Sequence, residues 1–146
     1  MKINISKTVL VFFYVLLFTS ISFPQTIGKI FSKMEADSLF GNVIDSISIN
    51  QSELNSLLNK TENYIMFQIN KGKLIILGDG RNVLYPVGKN VNSDEVFALF
   101  SKSKVVELLN SGKGTILIFE KRRSHLTITF DLVTLEFSEW CPPNCF

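Results

Sequence analysis

Six short apolar segments, each closed by turn-forming residues, constrain this chain more than any other feature. They run from Tyr64 to Ile69, Lys73 to Leu77, Arg81 to Tyr85, Thr115 to Lys121, His125 to Phe130 and Thr134 to Phe137. Asn70-Lys71-Gly72, Gly78-Asp79-Gly80, Arg122-Arg123-Ser124 and Asp131-Leu132-Val133 separate them. Segments this short with turns this tight make strands and hairpins, hence antiparallel pairing. Alternation sets the faces. Phe67, Leu74, Ile76, Phe119, Leu126 and Ile128 are expected to face inward. Gln68, Lys73, Lys121, Thr127 and Thr129 are expected to point the other way.

Helical spacing surrounds these strands. Ile27, Ile30, Phe31, Met34 and Phe40 predict a helix over about 27–40, stopped by Gly41. Val43–Ile49 reads as a short strand or an extended linker. Asn50 with Glu53 has capping-box spacing ahead of Leu54, Leu57 and Leu58, a short helix ending near Lys60. Asn92 with Glu95 repeats the spacing, and Val96, Phe97, Leu99 and Phe100 read as a helix face. Ser101 or Ser103 caps a further helix carrying Val105, Val106, Leu108 and Leu109. The expected fold class is α+β: an antiparallel sheet of about five to seven strands with helices on one face.

The two halves also resemble each other. Leu57-Leu58-Asn59 matches Leu108-Leu109-Asn110. With one residue inserted, Ile65, Phe67, Leu74, Ile76, Asp79, Val83 and Tyr85 stand 52 positions before Leu117, Phe119, Leu126, Ile128, Asp131, Leu135 and Phe137. A tandem helix–three-strand-meander duplication, over 54–85 and 105–137, is the expectation. Repeated units of this kind resemble, at the level of fold, the β-lactamase-inhibitor-protein type of secreted domain.

Residues 1–25 read as an export signal. Lys2 and Lys7 give a positive start, Val9–Phe18 is unbroken apolar chain, and small and turn-forming residues follow to Gln25. A spanning helix needs roughly twenty apolar residues, about twice this run. Cleavage is expected after Ser22 or Gln25, which leaves 26–146 as a single α+β domain, secreted or periplasmic, with no stable membrane span. Of 15 basic residues two leave with the signal, so 13 face 13 acidic ones. A neutral domain gives no support to nucleic-acid binding.

The tail Trp140-Cys141-Pro142-Pro143-Asn144-Cys145-Phe146 is the most unusual stretch. In an oxidising compartment Cys141 and Cys145 are expected to form a structural disulfide, contributing about 2–3 kcal/mol by loop closure and fixing Trp140. A redox or metal pair is the sharper alternative. It lacks a following helix to lower a thiol pKa and a nearby histidine, His125 being the single one.

Other chemistries find less support. His125 opens a strand, and no serine has a nucleophile-elbow context, so it reads as a surface strand residue. Glu120, Asp131, Glu136 and Glu139 lie on or near the last strands as ordinary carboxylates. Gly78-Asp79-Gly80 lacks the neighbours a phosphate loop or calcium site requires and reads as a tight turn. Lys121, Arg122 and Arg123 form a basic hairpin tip, solvated or set against an anionic surface. Asn50-Gln51-Ser52 and Asn59-Lys60-Thr61 are glycosylation sequons.

No catalytic residue, metal set or cofactor follows from these readings. The function expected is a non-enzymatic interaction domain, whose partner is a protein or an envelope component. Trp140, Lys121, Arg122 and Arg123 are its candidate contact residues. A thiol-redox or metal-handling accessory acting through Cys141 and Cys145 is the alternative, and a small hydrolase the third.

Overall fold

A computed structural model describes residues 26–142 and Cys145; the expected signal and its cleavage points lie outside the described residues. The chain begins with strand β1 (Lys29–Ser32) and helix α1 (Lys33–Phe40), then β2 (Asp45–Asn50) and α2 (Gln51–Leu58). A meander follows, β3 (Tyr64–Asn70), β4 (Lys73–Leu77) and β5 (Val83–Tyr85), with a single 3-10 turn at Asp79–Arg81. Then come β6 (Phe97–Ser101), α3 (Lys102–Ser111), a second meander β7 (Ile116–Lys121), β8 (Leu126–Phe130) and β9 (Val133–Glu136), and last β10 (Glu139–Cys141). The fold is α+β, with the ten strands of the described residues divided between two five-stranded antiparallel sheets. The first sheet runs β1-β9-β8-β7-β2 and the second β10-β6-β3-β4-β5.

Each sheet takes the strand that precedes a helix from the other half of the chain. β2 leads into α2 yet pairs with β7, and β6 leads into α3 yet pairs with β3. Corresponding positions have corresponding partners: Ile49 faces Leu117 as Phe100 faces Ile65, and Phe119 faces Ile128 as Phe67 faces Ile76. The third meander strand departs from the 52-residue correspondence. Ile76 faces Tyr85, whereas Ile128 faces Leu135 and not Phe137. Only Asp131 and Leu132 separate Phe130 from its partner Val133, while a 3-10 turn lengthens the equivalent loop between β4 and β5.

Two helical readings change. Residues 29–32 are strand because they pair with β9, and the helix starts only where Ser32 caps it. There the Ser32 hydroxyl accepts from the Glu35 N–H, and the Glu35 carboxylate accepts from the Ser32 N–H. Residues 97–101 are also strand, not helix. Every residue of β6 is buried on both faces, so no alternation marks it and its apolar run imitates helical spacing.

The facing sides of the two sheets share one core with α2 and α3, centred on Phe67, Phe100, Phe119 and Phe130. A smaller apolar cluster, with Met66, Leu77, Phe97, Leu99 and Cys141, covers the outer side of the second sheet. The outer side of the first sheet is polar and carries α1 through Phe31, Ala36 and Phe40. Lys121 has the parity of Leu117 and Phe119, which corrects its expected outward direction: it ends a core-facing row. Thr127 and Thr129 do point away from the core, but they are buried under α1. Among the described residues no helix is long and apolar enough to cross a membrane.

Candidate functional site

The β7–β8 hairpin closes through the Arg122 N–H, which donates to the His125 carbonyl at 2.9 Å. Arg123 and Ser124 therefore form its exposed tip. On the other sheet, β10 adds to the edge of β6, with Trp140 opposite Ala98, itself opposite Phe67. Residues directly opposite in a ladder share a face, so Trp140 stands over the rim of the core. It remains 44% exposed. The tip and the tryptophan bound a cleft of about 410 Å³, with Phe67 and Leu126 in its lining and Lys121, Arg123 and His125 beside Trp140.

All four residues singled out in the sequence border this cleft, but Arg122 does not share the solvated tip. Its side chain is buried on the opposite face, where Nη2 lies 2.7 Å from Glu120 Oε2 and 2.8 Å from Asp37 Oδ1. Nε donates to Thr127 Oγ1, and Nη1 donates to the Gly41 carbonyl. Thr127 and Thr129 both donate to Glu120 Oε2, and Lys33 Nζ lies 3.5 Å from Glu120 Oε1. Burial alone disfavours charge on Glu120. The bonds from Arg122, Thr129 and Thr127 and the charge of Lys33 outweigh it and hold the carboxyl below its ordinary range. Arg122 thus fastens α1 to the first sheet, and the cations open to the cleft are Lys121 and Arg123.

His125 is oriented, not merely exposed. Its Nδ1 lies 3.1 Å from Glu136 Oε1, and its ring packs 5.0 Å from that of Phe40. Glu136 is 1% exposed, and burial pushes its carboxyl up despite the His125 contact and the Ser138 bonds. It also accepts from the Phe137 N–H. Ser138 Oγ approaches the same carboxylate oxygen at 3.5 Å, so the serine meets the acid and not the imidazole. That is a different arrangement from a Ser-His-acid relay, in which the serine must reach the ring.

Cys141 and Cys145 are joined in a disulfide with their Cα atoms 5.0 Å apart. Arg81 holds this tail in place. Its Nη1 lies 3.3 Å from the Cys141 carbonyl, 3.4 Å from Cys141 Sγ and 3.8 Å from Cys145 Sγ. Nη2 donates to the carbonyls of Asn92 and Glu95, and the guanidinium stacks 5.2 Å over the Phe97 ring. One side chain therefore ties the 86–96 loop, β6 and the disulfide together. Sequence reading missed it, because its partners lie 11 to 64 residues away.

Asp79 is more than part of a turn. Its carboxylate accepts from the Thr61 hydroxyl and from the N–H groups of Glu62, Asn63 and Tyr64. Desolvation opposes its charge, but those four bonds prevail and lower its pKa. The group fixes the α2–β3 connection and is a structural clamp. Among the described residues no set of three or more His, Cys, Asp or Glu side chains is placed to hold a metal ion. Compared with known proteins, the chain matches no family model, no curated protein and no solved structure.

Proposed function

We propose that the chain is an exported, non-enzymatic binding domain that engages a protein or envelope component at the cleft beside Trp140. The observation that carries this reading is convergence. A half-exposed tryptophan from one sheet and two cations from the other, with no acidic partner among the described residues, border the same opening, whose lining is mixed polar and apolar. Tryptophan and arginine are among the residue types that carry most of the energy at binding surfaces. The test is retention of an envelope extract on the immobilised domain, compared with a Lys121→Ala Arg123→Ala double variant. Loss of the retained component in the variant supports the reading; equal retention by both contradicts it.

A second reading has one observation of its own. The Arg81 guanidinium beside both sulfurs would stabilise a thiolate, the state a thiol-exchange protein needs. Against it, Cys141 is fully buried. The reduction potential separates the two. A structural bridge lies below about −300 mV, whereas catalytic oxidants lie near −120 to −200 mV.

A further inference from the structure

We infer that the cleft takes an acidic saccharide, a short run of hydroxylated sugar rings carrying carboxylates; this rests on reading the cleft as the binding surface. Its size, about 410 Å³, falls within the range of small-molecule sites. The side chains a ligand can touch there are mostly polar. Phe67 and Leu126 are 0% and 5% exposed, so they lie behind the surface and offer a ligand almost nothing. The accessible lining holds the amides of Gln68 and Asn70, the Ser124 hydroxyl, the cations Lys121 and Arg123, and the half-exposed indole of Trp140. Val96 is the other exposed apolar side chain, and its carbonyl accepts from Gln68 Nε2 at 2.9 Å, which fixes that amide. Among the described residues no carboxylate lies within ion-pair distance of Lys121 or Arg123, and none lines the cleft. Asp45 opposes Lys121 in the β2–β7 register but lies outside the lining.

Each group answers one feature of such a ligand. A sugar ring presents C–H groups on its faces and hydroxyls around its edge. An indole offers a large flat apolar face for the first, with a polar N–H at its rim. Amides and hydroxyls both donate and accept, as the sugar hydroxyls do. The planar fork of Arg123 matches a carboxylate, and Lys121 adds a point charge. A peptide fits less well, because peptide grooves select side chains through pockets, and the apolar residues here are buried. A neutral sugar leaves the two cations unanswered, and a small inorganic anion leaves Trp140 unused. The aromatic face is also held in advance. Trp140 precedes Cys141, which is bridged to Cys145 and whose carbonyl and Sγ both meet Arg81 Nη1. Ligand binding therefore has less ordering to do at this side chain.

Trp140 is the single tryptophan of the chain, so its emission reports on this cleft alone. The experiment is a titration of the full domain with trigalacturonate. Maltotriose supplies the rings without the charge, and triglutamate the charge without the rings. A saturable change in Trp140 emission with trigalacturonate is expected, with affinity about tenfold weaker for maltotriose, for triglutamate and for the Lys121→Ala Arg123→Ala variant. Trp140→Ala, followed by calorimetry, is expected to weaken trigalacturonate by a similar factor. The substituted side chains are all exposed, so the variants keep their fold, which circular dichroism checks. Equal affinity for trigalacturonate and maltotriose, an unchanged affinity in either variant, or no saturable response overturns the inference. Triglutamate binding as tightly as trigalacturonate overturns it in favour of an acidic peptide. If trigalacturonate fails while envelope retention still depends on Lys121 and Arg123, the ligand class is wrong and the binding surface stands.

Discussion

Arg122 and Glu120 stand two residues apart at the end of β7, point to the same face of the first sheet, and meet at 2.7 Å with both side chains buried. Removing one partner leaves the other's charge buried without its closest counter-charge. Arg122→Met is expected to destabilise the domain by about 3–5 kcal/mol in urea unfolding. The double variant with Glu120→Met recovers much of that loss, because an apolar pair replaces two charges whose desolvation opposed folding. A loss below about 1 kcal/mol in the single variant contradicts the assignment of Arg122 as a buried anchor.

Gly112 tests how closely α3 abuts the first sheet. A Cβ at this position would lie 2.5 Å from Phe130 Cδ1 and 3.1 Å from the Phe130 carbonyl oxygen. Its backbone has φ −108°, which any residue adopts, so the constraint is contact and not conformation. Gly112→Ala is expected to cost about 1–3 kcal/mol through overpacking. Adding Phe130→Leu relieves part of it, and thermal unfolding of the three proteins decides the point.

The fold class was legible because alternation is a local signal. Phe67, Leu74, Ile76, Phe119, Leu126 and Ile128 all entered the core as their spacing indicated. What escaped the sequence was whatever depends on distant partners. β6 lost its alternation by burial on both sides. Arg122 looked like a surface charge although Glu120 stands two residues before it, because the cover that buries the pair is α1, whose Asp37 lies 85 residues away. The third meander strand looked equivalent in both halves until turn length shifted its register. At the site, Lys121, Arg123 and Trp140 were each visible as residues. That they share a cleft depends on β10 pairing with β6 and on the β7–β8 tip reaching the end of β3, which no local pattern encodes.

Asp79 gives the pH dependence a definite sign. Its folded pKa lies below the unfolded value of about 3.9, so its stabilisation is present above that value and is lost as pH falls through the folded pKa. The stability gap between the protein and Asp79→Asn is therefore largest near neutrality and closes below about pH 4. Glu136 has the opposite sign: burial raises its pKa, and the contribution it makes when protonated is lost as pH rises through the folded value. Urea midpoints from about pH 7 down to pH 3 test this, and an Asp79→Asn gap constant across that range refutes it.

The tail offers the sharpest separation of structural from chemical roles. Cys141→Ser with Cys145→Ser removes a four-residue closure, and so costs at most about 2–3 kcal/mol, with the rest of the domain still folded. Arg81→Ala is expected to cost more, because Arg81 also holds the carbonyls of Asn92 and Glu95 and stacks on Phe97. Both variants should make Trp140 emission more solvent-exposed, since β10 is only three residues long and borders a single neighbour. The distinguishing case is Arg81→Lys, which keeps a charge but loses the fork that reaches sulfur and carbonyl together. For a structural clamp, Arg81→Lys loosens Trp140 while the reduction potential of the bridge barely moves. For a thiolate-stabilising group, the potential shifts while Trp140 emission stays put. A shift in potential alone would therefore move the tail from scaffold to reactive site.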